Sequence, residues 1–376
     1  MRVAWDLQAI TGPKPTGLGV SVNMLLQATQ EHAPEVKVIG LRPNELNQPL
    51  IGVFDRLKWE QWRLPQALRR LRGPRTPELL YSPALGAPLG SPVPVIAHVH
   101  DLIPLVYPRQ FSGAAGWYWK ELLPYTWRHC RALTVSNESV ADDIVRLLRC
   151  PRQNIHVVPY YPEPEFRQLA AEIRGDKNAG VTRPKFICLG THEPRKNFDL
   201  AIRAVSLLTS QPSFTGAELL IIGMRTEHTA QLEQLAAAVV PNGVVTFSTD
   251  YLTRREVVRE LLGATALVFP SRYEGFGMPP LEAMSIGCPV ILSDIDAHRK
   301  VYADAERWGL IAESEAVLPA FVGVDDKGAL AGAMKRLIDD AAWREALVRS
   351  GLAYSATFKP QQTAAALFAA FKAAQS

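Results

Sequence analysis

The chain has 376 residues, 47% hydrophobic and 21% charged, with a formal net charge of +4. That length suits two domains, and the composition is that of an ordinary globular protein. The small net charge gives no polyelectrolyte signal for a nucleic-acid partner, and no apolar run reaches the roughly 18 residues of a bilayer-spanning helix.

Short β-branched runs alternate with longer helical patterns from the start. Strands are predicted at 2–6, 36–41, 79–82, 93–99, 132–136 and 155–158, with helices over 18–31 and 138–148. Between Tyr160 and Pro184 the pattern breaks. YYPEPEF is proline-rich and GDKNAGVTRP is polar with two glycines, so a domain boundary is placed there. The alternation then restarts, with strands at 185–189, 218–222, 244–247, 266–269 and 289–292. Helices are predicted over 198–209, 227–239, 254–262, 280–286, 327–339 and 343–350, and an alanine-rich helix over 361–374 follows Pro360. The fold class is α/β, with two doubly wound, Rossmann-like domains over 1–165 and 184–355 and a terminal helix over 356–376. Open parallel sheets bind ligands beyond the carboxyl ends of their strands. Two such domains facing across a cleft could hold a donor on one side and an acceptor on the other.

MRVAWDLQAI carries Asp6 and reads as a first strand, not a signal peptide. Cys130, Cys150, Cys188 and Cys288 form no CxxC pair. Cys188 and Cys288 lie in apolar runs and read as buried thiols in a reducing compartment, without the ligand spacing of a zinc site. The expected location is cytoplasmic, free or peripheral on the inner membrane face.

The most informative stretch is ALVFPSRYEGFGMPPLEAMSIGCPVILSD. A buried strand runs into a loop holding Glu274, Gly275 and Gly277. Pro279 and Pro280 suit the first turn of a helix, with Glu282 in that turn. The helix start offers N–H groups and a positive dipole end to a diphosphate, and the glycines let backbone approach it. Glu274 and Glu282 could accept hydrogen bonds from hydroxyls at two places on an extended ligand, as a sugar nucleotide carries on its sugar and its ribose. An acidic turn that only complements the helix dipole is the alternative.

Glu274 and Glu282 match the EX7E signature, and EGFGMPPLEAMSIGCPVI resembles glycosyltransferase family 4, retaining enzymes of GT-B fold. The resemblance implies that Glu274 contacts the donor sugar and Glu282 the ribose. Phe276 and Gly277 then give backbone contacts, with Gly275 and Met278 beside them in the donor-binding set. It also implies that the last helix crosses back to brace the first domain.

In KFICLGTHEPRKNFDLAI a strand ends at Gly190 and a helix begins near Asn197, with Glu193, Arg195 and Lys196 crowding the loop. Two cations at a strand's carboxyl end suit a leaving diphosphate, whose charge grows as the glycosidic bond breaks. A solvated charged loop is the alternative. The segment is similar to the family's GTLEPRKN, which implies Arg195 and Lys196 as phosphate ligands. Some relatives carry a further arginine where this chain has Thr191, so a third cation is either missing or supplied by Arg272.

Near the N-terminus, Gly17-Leu18-Gly19 precedes a helix, but GxGxxG is incomplete because Val22 stands at its last position. That weighs against a nicotinamide cofactor. The family's matching loop, TGIGRY, closes over the donor phosphates and implies backbone roles for Gly17 and Gly19; Val20 replaces its arginine. VIAHVHDLIPLVYPRQF is similar to the family's acceptor-side HDLIPLxYPxxF. It implies that His100 bonds the transferred sugar or the acceptor, and that Asp101 orients the imidazole or binds acceptor hydroxyls.

Asp294-Ile295-Asp296 is formally a DxD, but cations already stand at Arg195 and Lys196. The two acids are expected to cap the next turn, and no metal or other cofactor is expected. The segment 56–75 is basic and carries Trp59 and Trp62. With the aromatic group at 117–120 it is a candidate for contact with an anionic membrane or a lipid-linked acceptor, against an ordinary surface helix with buried tryptophans.

The expected activity is retaining transfer of a hexosyl group from a nucleotide diphosphate sugar, GDP-mannose favoured, to a glycan or lipid-linked acceptor. The resemblance is to bacterial polysaccharide mannosyltransferases. The alternatives are a glycoside hydrolase or phosphorylase using Glu274 and Glu282 as its carboxylate pair, and a non-catalytic nucleotide-sugar binding protein.

Overall fold

The computed structural model describes residues 1–10, 17–43, 52–175, 183–210, 216–248, 252–312, 314 and 316–375. They fall into two compact units, Met1–Tyr161 with Phe358–Ser376, and Pro162–Thr357.

In the first unit, β1 (Arg2–Asp6), β2 (Lys37–Leu41), β3 (Leu79–Ser82), β4 (Val95–Val99), β5 (Ala132–Val135) and β6 (Ile155–Val157) form a parallel sheet in the order β2-β1-β3-β4-β5-β6. β3, β4 and β5 are buried along their whole length, as central parallel strands with both faces covered must be. The helix Glu138–Leu148 starts on Asn137, whose side-chain oxygen accepts from the Ser139 and Val140 N–H groups at 2.8 and 3.2 Å. The terminal helix Pro360–Ala373 belongs to this unit because its apolar side packs there. Phe371 is fully buried, with its ring centroid 5.2 Å from Tyr81 and 6.4 Å from Trp5. Burying such a ring contributes about 2–3 kcal/mol. Thr363 adds a hydrogen bond to the Pro159 carbonyl at 2.6 Å.

In the second unit, β7 (Lys185–Leu189), β8 (Glu218–Ile222), β9 (Val245–Phe247), β10 (Ala266–Phe269), β11 (Val290–Ser293) and β12 (Ala320–Val322) form another parallel sheet, ordered β12-β11-β10-β7-β8-β9. β12 has only three residues, too few for a periodic signal in the sequence. Pro164–Gly175, read from the sequence as part of a linker, is a helix of this unit that buries Phe166, Ala170 and Ile173. The unit thus begins well before residue 184.

The chain builds β7, β8 and β9 outward in one direction, then returns to lay β10 on the other side of β7. The carboxyl ends of β7 and β10 flank that reversal, where open α/β sheets leave a crevice for ligands. In the first unit the same relation holds between β1 and β3.

Candidate active site

The loops that follow β7 and β10 carry the charged residues singled out in the sequence. After β7 the chain makes a tight turn over Pro194–Lys196, and Asn197 adopts a left-handed conformation at φ 58° before the helix Phe198–Thr209. Asn197 staples this loop to its neighbours. Its Nδ2 donates to the Pro270 carbonyl at 3.0 Å and the Val324 carbonyl at 2.8 Å. The Arg272 N–H donates to the Arg195 carbonyl at 2.7 Å. The loops that follow β7, β10 and β12 are thereby held together.

Those bonds bring Glu274 onto the two cations. Its Oε1 accepts from Lys196 Nζ and from the Ser271 hydroxyl, both at 2.6 Å, and Oε2 lies 3.4 Å from Arg195 Nη1. Arg195 Nε also donates to Glu193 at 2.7 Å. The Lys196 ammonium lies 4.9 Å from the Phe269 ring centroid. The side chains of Glu274, Lys196 and Arg195 are 8%, 10% and 12% exposed, so their charges interact with little screening by water. Burial alone would raise the Glu274 carboxyl, but Lys196 and Arg195 hold it well below the usual carboxylate range. Burial in turn lowers the Lys196 ammonium, with Glu274 opposing that shift.

Arg272 does not supply a third cation to this cluster. Its guanidinium pairs with Asp325 at 2.7 Å, and only its backbone serves Arg195.

Beyond Glu274 the chain turns at Gly277, whose φ of 80° is one that L side chains avoid. The helix Met278–Ser285 starts immediately, a little earlier than expected. Two readings of its first turn change as a result. Pro279 and Pro280 have no N–H, so the donors at this end are those of Gly277, Met278 and the loop before them. Glu282 is the fifth helical residue, beyond the first turn, so the simple dipole-complement reading loses its geometry.

Glu282 is 8% exposed, and among the described residues neither a hydrogen bond nor an ion pair reaches its carboxylate. Burial pushes its carboxyl up to about 8, Glu163 adds to the shift and Arg254 opposes it. Arg254 is itself held by Glu163 and, at 2.6 Å, by Glu165. A buried acid with neither counter-ion nor donor is costly, and a ligand hydroxyl would relieve that.

A second layer supports the loop and had no signal in the sequence. The Ser293 hydroxyl donates to the Ser271 carbonyl, and His298 Nδ1 lies 2.9 Å from the Ser293 carbonyl. That bond makes Nδ1 the protonated nitrogen. Nε2 is buried and has no partner among the described residues. Burial pushes His298 down to about 4, so the ring is neutral. Tyr302 donates its hydroxyl to the Gly277 carbonyl.

Asp294 and Asp296 do not cap the next turn. Asp294 pairs with Arg299 at 2.6 Å, Asp296 lies 3.3 Å from Lys300, and Ile295 at the cap position has no side-chain acceptor to offer. Among the described residues no group of His, Cys, Asp and Glu has the arrangement of a metal site.

The remaining expected residues lie in the first unit. Gly17 opens the helix Gly17–His32, with Gly19 buried in it; most of the loop before it, 11–16, lies outside the described residues. A side chain at Gly17 would meet nothing within 4 Å. His100 and Asp101 follow β4. His100 was expected to offer its ring to a substrate, but both nitrogens are engaged, Nδ1 with the Tyr160 hydroxyl at 2.8 Å and Nε2 with the Pro83 carbonyl at 2.7 Å. Burial pushes it down to about 4, so it is neutral. The Tyr160 hydroxyl also meets Nε2 of the buried His98 at 2.8 Å. Asp101 accepts from the Ile103 N–H at 3.0 Å and so orders its own turn.

The reversal point of this first sheet is filled by protein. Asp6, at the end of β1, accepts from Trp59 Nε1 at 2.9 Å and Gln8 Nε2 at 2.8 Å. Gln8 Nε2 also reaches Glu60 at 3.2 Å, and the Tyr118 hydroxyl donates to Glu60 at 2.8 Å. Trp59 and Glu60 come from the segment read as a basic surface stretch; both are buried.

Comparison with known proteins bears on the family and the fold. The model for glycosyl transferases group 1 matches residues 170–351, and that for glycosyltransferase family 4 matches residues 15–160. The chain is 31% identical over 170 residues to O-antigen chain mannosyltransferase B of Escherichia coli, covering 45% of this chain and 41% of that one. It is 28% identical over 204 residues to the O-antigen chain mannosyltransferase RfbU of Salmonella typhimurium, covering 54% and 53%. These matches span about half the length of the curated relatives. Among solved structures, sucrose-phosphate synthase from Thermosynechococcus elongatus superposes with a TM-score of 0.69 at 17% identity, covering 99% of this chain and 98% of that one. WaaG, a glycosyltransferase involved in lipopolysaccharide biosynthesis, gives 0.64 at 15% identity, covering 98% of each. At such identities the likeness is one of fold. With family matches in both units and two parallel six-stranded sheets, the chain is a GT-B glycosyltransferase of family 4, similar to the polysaccharide mannosyltransferases.

Proposed function

We propose that the chain transfers a hexosyl group, mannosyl foremost, from a nucleotide diphosphate sugar to a glycan or lipid-linked acceptor, with retention of anomeric configuration. The observation that carries this reading is the contact of Glu274 with Lys196 and Arg195 at the reversal point of the second sheet. The mannosyl preference rests on likeness to O-antigen mannosyltransferases. The nucleotide diphosphate class is supported by Anabaena HepE, similar in fold with a TM-score of 0.67 and described in complex with UDP and glucose.

In the proposed reaction the donor diphosphate takes the cations, aided by the backbone of Gly275, Phe276, Gly277 and Met278. Glu274 turns to hydroxyls of the donor sugar, and Glu282 accepts from the ribose. The acceptor oxygen bonds to the anomeric carbon as the bond to phosphate breaks. The departing diphosphate keeps that electron pair, and one of its oxygens takes the acceptor proton. Arg195 and Lys196 stabilise the growing charge, and no metal is required of this scheme. Asp101 is assigned to the acceptor side, whereas His100 would first have to release Pro83 or Tyr160 and is better placed to orient the loop after β3. The buried thiols of Cys188 and Cys288 accord with a cytoplasmic location.

A glycosidase pair fits less well. Glu274 is tied to two cations that hydrolysis does not need. Incubation with GDP-mannose, UDP-glucose and ADP-glucose, with and without a mannan oligosaccharide, tests the proposal. Release of nucleoside diphosphate with an α-linked product supports it. Hydrolysis of the oligosaccharide without use of any donor contradicts it.

A further inference from the structure

The carbonyl of Pro83 decides how a buried chain of hydrogen bonds runs in the first unit. Burial holds the rings of His98 and His100 below the ordinary histidine range, so each is neutral and carries one N–H. A carbonyl can only accept, so the His100 proton is on Nε2, which donates to Pro83 at 2.7 Å. His100 Nδ1 is then a bare lone pair 2.8 Å from the Tyr160 oxygen, and only a proton from that hydroxyl makes the contact attractive. Having given its proton to His100, the Tyr160 oxygen accepts from His98 Nε2, also at 2.8 Å. His98 Nδ1 is left to accept from the Thr134 hydroxyl at 3.0 Å or the Tyr81 hydroxyl at 3.2 Å. Both tautomers thus follow from the last acceptor. His98, Tyr81 and Thr134 are fully buried and Tyr160 nearly so, which makes a missing partner costly.

That last acceptor lies in the loop after β3, at the reversal point of the first sheet, where ligands of such sheets bind. Side chains, rather than a ladder of backbone bonds, hold this loop. Trp127 Nε1 donates to the Leu85 carbonyl at 2.9 Å, the Ser82 hydroxyl to the Gly86 carbonyl at 2.7 Å and Gln61 Nε2 to the Ala87 carbonyl at 3.0 Å. His100, the first residue after β4, does the same for Pro83, the first residue after β3.

We propose that Tyr160 and His98 are positioning residues for the acceptor side. They hold His100 as a donor through Nε2 and, through its bond to Pro83, set the start of the loop after β3. The one lone pair of the His100 ring faces Tyr160, so His100 does not take the acceptor proton, which stays with the departing diphosphate. The acceptor here rests on the transfer reaction proposed above; the direction of the hydrogen bonds does not.

The first test needs no turnover. Long-range proton–nitrogen correlation spectra of the full chain, labelled at histidine nitrogen, tell protonated from bare ring nitrogens. His98 and His100 should both show a protonated Nε2 and a bare Nδ1, and the His100 Nδ1 signal should shift in Tyr160→Phe, which removes the hydroxyl alone. A protonated Nδ1 on His100 would overturn the proposal.

The second test is kinetic, with a mannan oligosaccharide as acceptor. Tyr160→Phe should raise acceptor KM about tenfold and change donor KM less than about threefold. His98→Gln keeps an N–H near the place of Nε2 and should stay close to the parent, whereas His98→Leu should behave like Tyr160→Phe. An unchanged acceptor KM in Tyr160→Phe, or equal losses in His98→Gln and His98→Leu, would overturn the positioning role. A parent that transfers nothing from any nucleotide sugar would sink the transfer reading instead, and with it the acceptor role, while the spectra still decide the tautomers.

Discussion

The Tyr302 hydroxyl donates to the carbonyl oxygen of Gly277, 25 residues earlier in the chain. One side chain thus holds the residue from which Met278–Ser285 starts, where Pro279 and Pro280 cannot donate. The turn that follows Glu274 is set by a neighbouring helix as well as by its own sequence.

Tyr302→Phe should therefore leave the Gly277 carbonyl without this donor and cost about 1–3 kcal/mol of stability. Donor KM should rise more than kcat falls, because the turn that binds donor loosens while the cations stay in place. Urea unfolding and steady-state kinetics on the same preparation check both parts.

Gly277→Ala should be worse for binding than for folding. The left-handed backbone costs a non-glycine residue about 1–2 kcal/mol. The new methyl would also stand 3.2 Å from the Phe269 ring and 3.6 Å from His298 Nε2. Calorimetric titration with nucleoside diphosphate should show weakened affinity in a protein that still unfolds cooperatively.

Glu274→Gln should separate binding from turnover. The carboxylate neutralises Lys196 and Arg195 in the unliganded chain, so losing it should cost about 3 kcal/mol of stability. It should also free the cations, so nucleoside diphosphate binds at least as tightly as to the parent. Transfer should fall about 100-fold or more, because the contact to the donor sugar is gone. Weaker diphosphate binding together with normal turnover would contradict the assigned role.

The buried acids of the first unit make its stability depend on pH. Burial raises Asp6 to about 6 and Glu60 to about 7, each with hydrogen bonds opposing the shift. Below the ordinary carboxylate range both folded and unfolded chains carry these protons. As pH rises toward 7 the unfolded chain loses them first, so stability falls, by about 3 kcal/mol for each acid, and then levels once the folded pair ionises. Glu60→Gln removes one such ionisation. Its thermal unfolding temperature should change less between pH 5 and 8 than that of the parent, and should exceed it at pH 8.

Much of this was readable from sequence because the central strands are buried on both faces and so appear as unbroken apolar runs. Lys196, Arg195 and Glu274 were legible because each lies a few residues past such a run. Ser271, His298 and Tyr302 were not. Their contacts depend on a left-handed glycine and on helices distant in sequence. Glu60 was misplaced for a different reason. The π-helical turn at Trp59–Arg63 adds a residue to the helical period, which breaks the simple pattern of buried and exposed positions, and the surrounding arginines suggested a solvated face. Pro164–Gly175 was hidden by the prolines that precede it.

The proposed reaction depends on the cations after β7 binding the donor diphosphate. Calorimetric titration of GDP-mannose into the parent chain and into Lys196→Ala measures that dependence. Binding should saturate with the parent and weaken at least tenfold in the variant, about 1.4 kcal/mol. Equal affinity in both, with both folded, would contradict it.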